Sequence, residues 1–106
     1  MEEEKVNYKV KAVLHLPGVD APKRVIEAAR IFGHELEIRI NSPEARSGVP
    51  LVNIYLEHPK LEKPRYITTI LLYDEGGFYP GGDLARKTAL VRRLVAAELQ
   101  RLREKK

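Results

Sequence analysis

Three histidines, two serines and one acidic pair are the first groups in this chain to weigh as chemistry-bearing. His15, His34 and His58 lie on separate stretches, with no HxxxH spacing that would put two imidazoles on one helix face. The chain has no cysteine, which rules out a thiolate nucleophile, a disulfide or a Cys-based zinc site. Structural or surface roles suit these histidines better than metal ligation. Ser42 and Ser47 fall in the polar stretch SPEARSGVP, without a nucleophile-elbow sequence around them, and turn chemistry accounts for both. Asp74 and Glu75 precede Gly76-Gly77. That reads as a solvated hairpin turn rather than a carboxylate pair for acid–base work. With no catalytic constellation, ligand set or cofactor motif, the expectation is a binding protein that is not an enzyme and takes no metal or cofactor.

A second feature is Pro80-Gly81-Gly82-Asp83, which leads into a helix with Arg86 and Lys87 one turn inside. Free N–H groups at a helix start attract phosphate. The stretch lacks the GxxxxGK[ST] spacing of a nucleotide-binding loop, and the Asp83 carboxylate would stand where the phosphate belongs. A plain helix cap is the better reading.

The pattern that remains is cations and aromatic rings alternating with core residues along predicted strands. Lys9 and Lys11, then Arg39 and Asn41, then Asn53 and Tyr55 occupy the positions that do not supply apolar side chains. Thr69 and Tyr73 join them in one phase of a fourth strand, with Phe78 and Tyr79 as a wall. Flat rings that stack bases, beside Lys and Arg that track phosphates, are what an unpaired nucleic-acid strand requires. Each stacked base contributes about 1–3 kcal/mol in such systems. Glu35, Glu37 and Glu57 fall on the same face and oppose this reading.

The elements that position these residues follow from periodicity. Val6 to Leu16 alternates as a half-buried strand ended by Pro17-Gly18. Asp20-Ala21-Pro22 looks like a helix start, with Val25, Ile26, Ala28, Ala29 and Phe32 on its apolar face and Gly33 placed to stop it in the left-handed region. His34–Asn41 and Leu51–Glu57 alternate as further strands. Arg65–Tyr73 is a strand whose phase is ambiguous, since both parities carry apolar residues. Leu84, Thr88, Val91, Val95, Leu99 and Leu102 then form the stripe of a long final helix from Asp83 to about Arg103. That stripe is also nearly heptad-like, so a short zipper with a second copy is a rival use for it. The order β-α-β-β-β-α predicts an α+β fold, with a four-stranded, mainly antiparallel sheet and both helices on one face.

Bulk properties agree with one domain over residues 1–106. The hydrophobic fraction is 43% and the charged fraction 32%, with 19 Lys and Arg against 15 Asp and Glu, for a formal net charge of +4. The basic balance favours polyanionic partners. The acidic start Met1-Glu2-Glu3-Glu4-Lys5 lacks a signal-peptide core, and no apolar run is long enough for a membrane helix. A cytoplasmic, membrane-free protein is expected. Absence of Cys and Trp together with abundant Glu, Lys and Arg leans towards a hot environment.

Two resemblances add to this. The back half, ending in a helix that opens Ala85-Arg86-Lys87-Thr88-Ala89, looks like the end of a double-stranded-RNA-binding domain. That family's closing helix begins with a basic, Ala-containing cluster. In size, composition, four-stranded sheet and mixed aromatic and basic face, the whole chain more closely resembles the DNA-binding domain of the ThermoDBP group, archaeal single-stranded DNA-binding proteins of hyperthermophiles. The resemblance implies sequence-tolerant binding of single strands without a cofactor. The expected partner is thus single-stranded DNA or RNA. Tyr55, Tyr73, Phe78 and Tyr79 would stack, Lys9, Lys11, Arg39, Arg65, Arg86 and Lys87 would meet phosphates, and Asn53 would contribute polar contacts. A homodimer, or an assembly module built on the last helix or a strand edge, is the alternative.

Overall fold

The computed structural model describes residues 7–20, 22–45, 48–74, 77–78 and 82–104, and of residues 73, 74, 77, 78, 82 and 83 the backbone alone. The chain runs β1 (Lys9–His15), α1 (Lys23–Arg30), β2 (Glu35–Arg39), a short 3-10 turn (Pro43–Ala45), β3 (Leu51–Glu57), β4 (Arg65–Leu71), β5 (Tyr73–Asp74), β6 (Gly77–Phe78) and α2 (Gly82–Glu104). Strands β2-β1-β3-β4 form one sheet. The β1–β3 and β3–β4 pairs are antiparallel, while β1 and β2 are parallel across the α1 crossover. The α+β fold expected from the sequence is therefore present. Tyr73 pairs with Phe78 in the separate β5–β6 ribbon, on either side of the expected Asp74–Gly77 turn.

Alternation sets the layers. Val10, Ala12, Leu14 and Leu16 along β1 and Val52, Ile54 and Leu56 along β3 are buried on one face, as side chains two residues apart must be. Both helices cover that face: Val25, Ala29 and Phe32 from the first, and Val91, Val95 and Leu102 from the second, complete one core. Burying each of the larger side chains, Val, Leu, Ile and Phe, contributes roughly 1.5–3 kcal/mol. The α2 stripe thus packs on its own sheet rather than serving as a zipper. Glu98, 6% exposed in the middle of that helix, is neutralised by Arg65 of β4 and by Arg101 at 3.3 Å. A buried carboxylate needs such partners.

Several boundaries differ from expectation. Helix α1 starts after Pro22 with no side-chain cap, so Asp20 does not cap it. Helix α2 begins at Gly82 rather than at an Asp83 cap. Strand β2 closes at Arg39, and Asn41 just beyond it takes a left-handed φ of 48°, a conformation asparagine tolerates. Gly33 does not stop α1 with a positive φ; among the described glycines only Gly48 has one. Its requirement is proximity. The His34 N–H reaches the Val10 carbonyl at 2.7 Å, and a Cβ on Gly33 would lie 2.7 Å from that same Val10 oxygen and 3.1 Å from the Ala12 nitrogen. Both are backbone atoms of β1 and have nowhere to go. Gly33→Ala is therefore expected to cost about 1–3 kcal/mol through overpacking, read as a lower denaturation midpoint. A midpoint equal to the wild type would mean that β1 and the α1–β2 connection yield freely.

Candidate nucleic-acid interface

The sheet face opposite the helices carries Lys9, Lys11, Val13 and His15 from β1, each odd-numbered and each opposite the core set. The cross-strand partners Glu35, Glu37 and Arg39 of β2, and Glu57, Tyr55 and Asn53 of β3, share that face. The sequence thus placed Lys9, Lys11, Arg39, Asn53 and Tyr55 on one surface correctly. Strand β4 joins through an irregularity in the register. Asn53 pairs with Thr69 and Ile54 with Thr68, but Tyr55 pairs with Tyr66, so Ile67 is an extra residue opposite the Ile54–Tyr55 step. A bulge of this kind inverts which parity faces which layer, and it explains why both parities of this strand are apolar.

Two consequences follow. Arg65, opposite core-facing Leu56, is turned to the helix layer and held by Glu98, so it is not part of the sheet face. Tyr66, which the sequence reading passed over, is 54% exposed and lies 6.0 Å from Tyr55, ring centre to ring centre, edge-on at 68°. Only a known bulge position would have identified it. Arg86 and Lys87 belong to α2, the layer on the other side of the sheet, and are not brought together with the tyrosines. Tyr73 and Phe78 are placed by backbone only, and Tyr79 lies outside the described residues.

The cations of this face are paired. Lys9 Nζ is 2.7 Å from Glu35, Lys11 Nζ is 3.1 Å from Glu37, and Arg39 Nε is 2.6 Å from the same Glu37. With Glu57 beside Lys9, three cations meet three carboxylates. The Lys9 ammonium is raised above its ordinary pKa by its hydrogen bond to Glu35, and the carboxyl groups of Glu35 and Glu37 are held below theirs by Lys9 and by Arg39 with Lys11. These pairs are solvent-exposed and screened, so each contributes little and a phosphate can displace a carboxylate at small cost. The chain's excess positive charge lies elsewhere. The two helices hold nine Lys and Arg against four Asp and Glu, and Arg86, Arg92 and Arg93 make no ion pair among the described residues.

The face is also partly covered. Val13 and His15 are only 5% and 3% exposed, and Ser42 and Glu44, at the 3-10 turn, lie against His15 at the end of β1. One chain of hydrogen bonds crosses the sheet from there. The Tyr66 hydroxyl is 2.5 Å from Thr69 Oγ1, which donates to Asn53 Oδ1 at 2.6 Å. Asn53 Nδ2 lies 3.3 Å from His15 Nε2, His15 Nδ1 lies 2.5 Å from Ser42 Oγ, and Ser42 donates to Glu44 at 3.2 Å. A neutral His15 carrying its proton on Nδ1 satisfies every link, each donor passing to the next acceptor. Ser42 and His15 have the proximity of a hydrolytic pair, yet both are buried and the network consumes their hydrogen-bonding capacity. Between this network and Lys11, Glu37, Arg39 and Tyr55 lies a shallow notch of about 200 Å³. That is below the size of an ordinary small-molecule pocket. No group of three or more metal-ligating side chains occurs among the described residues, and none of their helices is long and apolar enough to cross a membrane.

Comparison with protein-family models, with curated proteins and with solved structures gives no match.

Burial lowers the His15 pKa from its ordinary value, against the opposing pull of Glu44. The folded protein therefore binds this proton less readily than the unfolded chain. Its contribution to stability is complete above about pH 6.5, the unfolded value, and is lost as pH falls below that towards the depressed folded value. His15→Asn is expected to flatten the fall in thermal midpoint between about pH 7 and pH 5, a range above the ordinary carboxylate pKa values. An unchanged slope in that variant would assign the acid sensitivity to other groups.

Proposed function

We propose that this chain binds single-stranded nucleic acid on the tyrosine-bearing half of its open sheet face, as a binding protein without catalytic or cofactor chemistry. The observation that carries the reading is the Tyr55–Tyr66 pair, with Tyr66 more than half exposed, beside the amide and hydroxyl groups of Asn53 and Thr69. Exposed rings offer a base a flat apolar surface at small entropic cost, and neighbouring amide and hydroxyl groups satisfy base edges. Duplex DNA buries its base faces, so rings on a sheet favour unpaired strands. The resemblance to the ThermoDBP group points the same way.

The ion pairs shape this function. A phosphate that approaches Lys9 or Arg39 must replace a carboxylate rather than a condensed salt ion. Stacking thus carries a larger share of the affinity than in a basic groove, and the salt dependence is shallow. For single strands, each phosphate neutralised by an unpaired cation contributes about −0.7 to the slope of log affinity against log salt. Three paired cations are expected to yield well under three times that.

One observation favours a second reading. Arg86, Arg92 and Arg93, which make no ion pair among the described residues, and an excess of positive charge lie on the helix layer, which also holds a cleft of about 450 Å³ lined by Tyr8, His34 and Arg92 among apolar side chains. A polyanion attracted mainly by charge would settle there.

Titration of labelled single-stranded DNA and RNA oligonucleotides at low and moderate salt separates the two. Tyr66→Ala is expected to weaken binding about 5- to 150-fold, the equivalent of one stacked base. Glu35→Gln, which releases Lys9, is expected to strengthen it several-fold and to steepen the salt slope by up to about 0.7. If Tyr66→Ala binds as the wild type does while Arg92→Glu with Arg93→Glu abolishes binding, the helix layer is the site. Absence of affinity for any single strand at low salt retires the proposal.

A further inference from the structure

The outer edge of β2 is built for a second strand, and the order of its residues says which one. Strand β2 ends the sheet, and no other described strand pairs with its outer side. Edge strands are commonly blunted by Pro, a bulge or charged side chains, Lys above all. The segment Glu35-Leu36-Glu37-Ile38-Arg39-Ile40 has no Pro, Lys or bulge, and the charges it carries, Glu35, Glu37 and Arg39, are of mixed sign and leave self-pairing open in the right register. The opposite edge, β4, is bulged beside Tyr66 and so is protected. Ile38 and Ile40 stand 40% and 50% exposed in phase with Leu36, which packs against the core. They extend the apolar layer under the helices past the end of the sheet, where nothing among the described residues covers them fully.

Backbone direction narrows the choice of partner. The Arg39 carbonyl accepts the Leu16 N–H at 2.8 Å, so Arg39, and with it Glu37 and Glu35, turns its backbone groups towards β1. Alternation then points the N–H and C=O groups of Leu36, Ile38 and Ile40 outward.

We infer that this edge pairs antiparallel with the same edge of a second copy of this chain, about a two-fold axis at Ile38. Three two-fold registers bring outward-pointing residues opposite one another near the centre of the strand. Pairing Leu36 with the second copy's Ile38 sets Glu35 against Arg39 twice but Glu37 against Glu37 at the axis, where the two like charges meet. Pairing Ile38 with the second copy's Ile40 sets Arg39 against Arg39. Pairing Ile38 with the second copy's Ile38 sets Glu37 against Arg39 twice, by symmetry, on the open sheet face. The same register lays Ile38 on Ile38 and Leu36 on Ile40 on the helix face.

Like charges directly opposite are destabilising and unlike charges stabilising, so only the third register is self-complementary in both layers. It would form about six backbone hydrogen bonds and bury the exposed isoleucines in a continuous eight-stranded sheet. A closed, isologous contact of this kind ends at the dimer and does not propagate.

The inference is independent of nucleic-acid binding, and its test needs no ligand. Sedimentation velocity of the wild type across concentration is expected to show a reversible species of twice the 12.1 kDa chain mass. Ile38→Lys is expected to be monomeric at every concentration while keeping its circular dichroism spectrum. Glu37→Arg and Arg39→Glu should each weaken association by on the order of 10-fold, because each creates two like-charge pairs. An equimolar mixture of those two variants restores opposite charges at both cross-strand positions, and it is expected to form a heterodimer tighter than either variant alone. A wild type monomeric throughout overturns the inference. So does a dimer that survives Ile38→Lys, or a mixture no tighter than its components.

Discussion

A single phase relation holds the sheet together. Two helices on one face demand that β1, β2 and β3 turn their even-numbered residues inward, and the register that pairs Ala12 with Leu36 and with Ile54 satisfies all three strands at once. A slip of one residue in any of them would bury Lys11, Glu37 or Tyr55 and expose its neighbours. Once that phase is fixed, the composition of the opposite face is fixed too. The cost of burying charge under the helices is what assembles a polar, ring-bearing surface on the other side. Among the described residues, the one carboxylate buried in the helix layer, Glu98, brings Arg65 and Arg101 with it.

Strand β4 is where this relation is broken. One extra residue at Ile67 lets Arg65 face the helices while Tyr66, its immediate neighbour, pairs with Tyr55 on the open face. Without the bulge, the phase that turns Thr68 and Ile70 inward would also turn Tyr66 inward and swing Arg65 to the open face, away from Glu98. The bulge resolves the conflict and blunts this edge of the sheet, leaving β2 as the edge with regular strand geometry. The stacking surface, the anchoring of α2 and the asymmetry between the two edges thus trace to a single inserted residue.

Charge is divided between the layers. On the sheet, carboxylates from β2 meet the cations of β1, and the surface is near neutral. On the helices, positive charge is in excess. A surface of rings and mutually neutralised ions discriminates by contact and gains little from long-range attraction, whereas a layer with positive charge in excess attracts any polyanion at a distance. The proposed function rests on the first, and the rival reading rests on the second.

The sequence by itself determined the strand periodicity, the single core, the inward stripe of α2 and the shared face of Lys9, Lys11, Arg39, Asn53 and Tyr55. Each of these follows from residues two, three or four apart, where local geometry leaves one answer. The tertiary structure decided what lies across from what. Lys9 finds Glu35, His15 finds Ser42 and Asn53, and Tyr66 finds Tyr55, over separations that no local pattern encodes. It also turned Arg65 away from the sheet face, and gave Gly33 its purpose in a close approach to β1 instead of a left-handed helix stop. Alternation is a property of one strand, whereas ion pairing, bulges and coverage depend on register between strands, which forms only when the whole core closes.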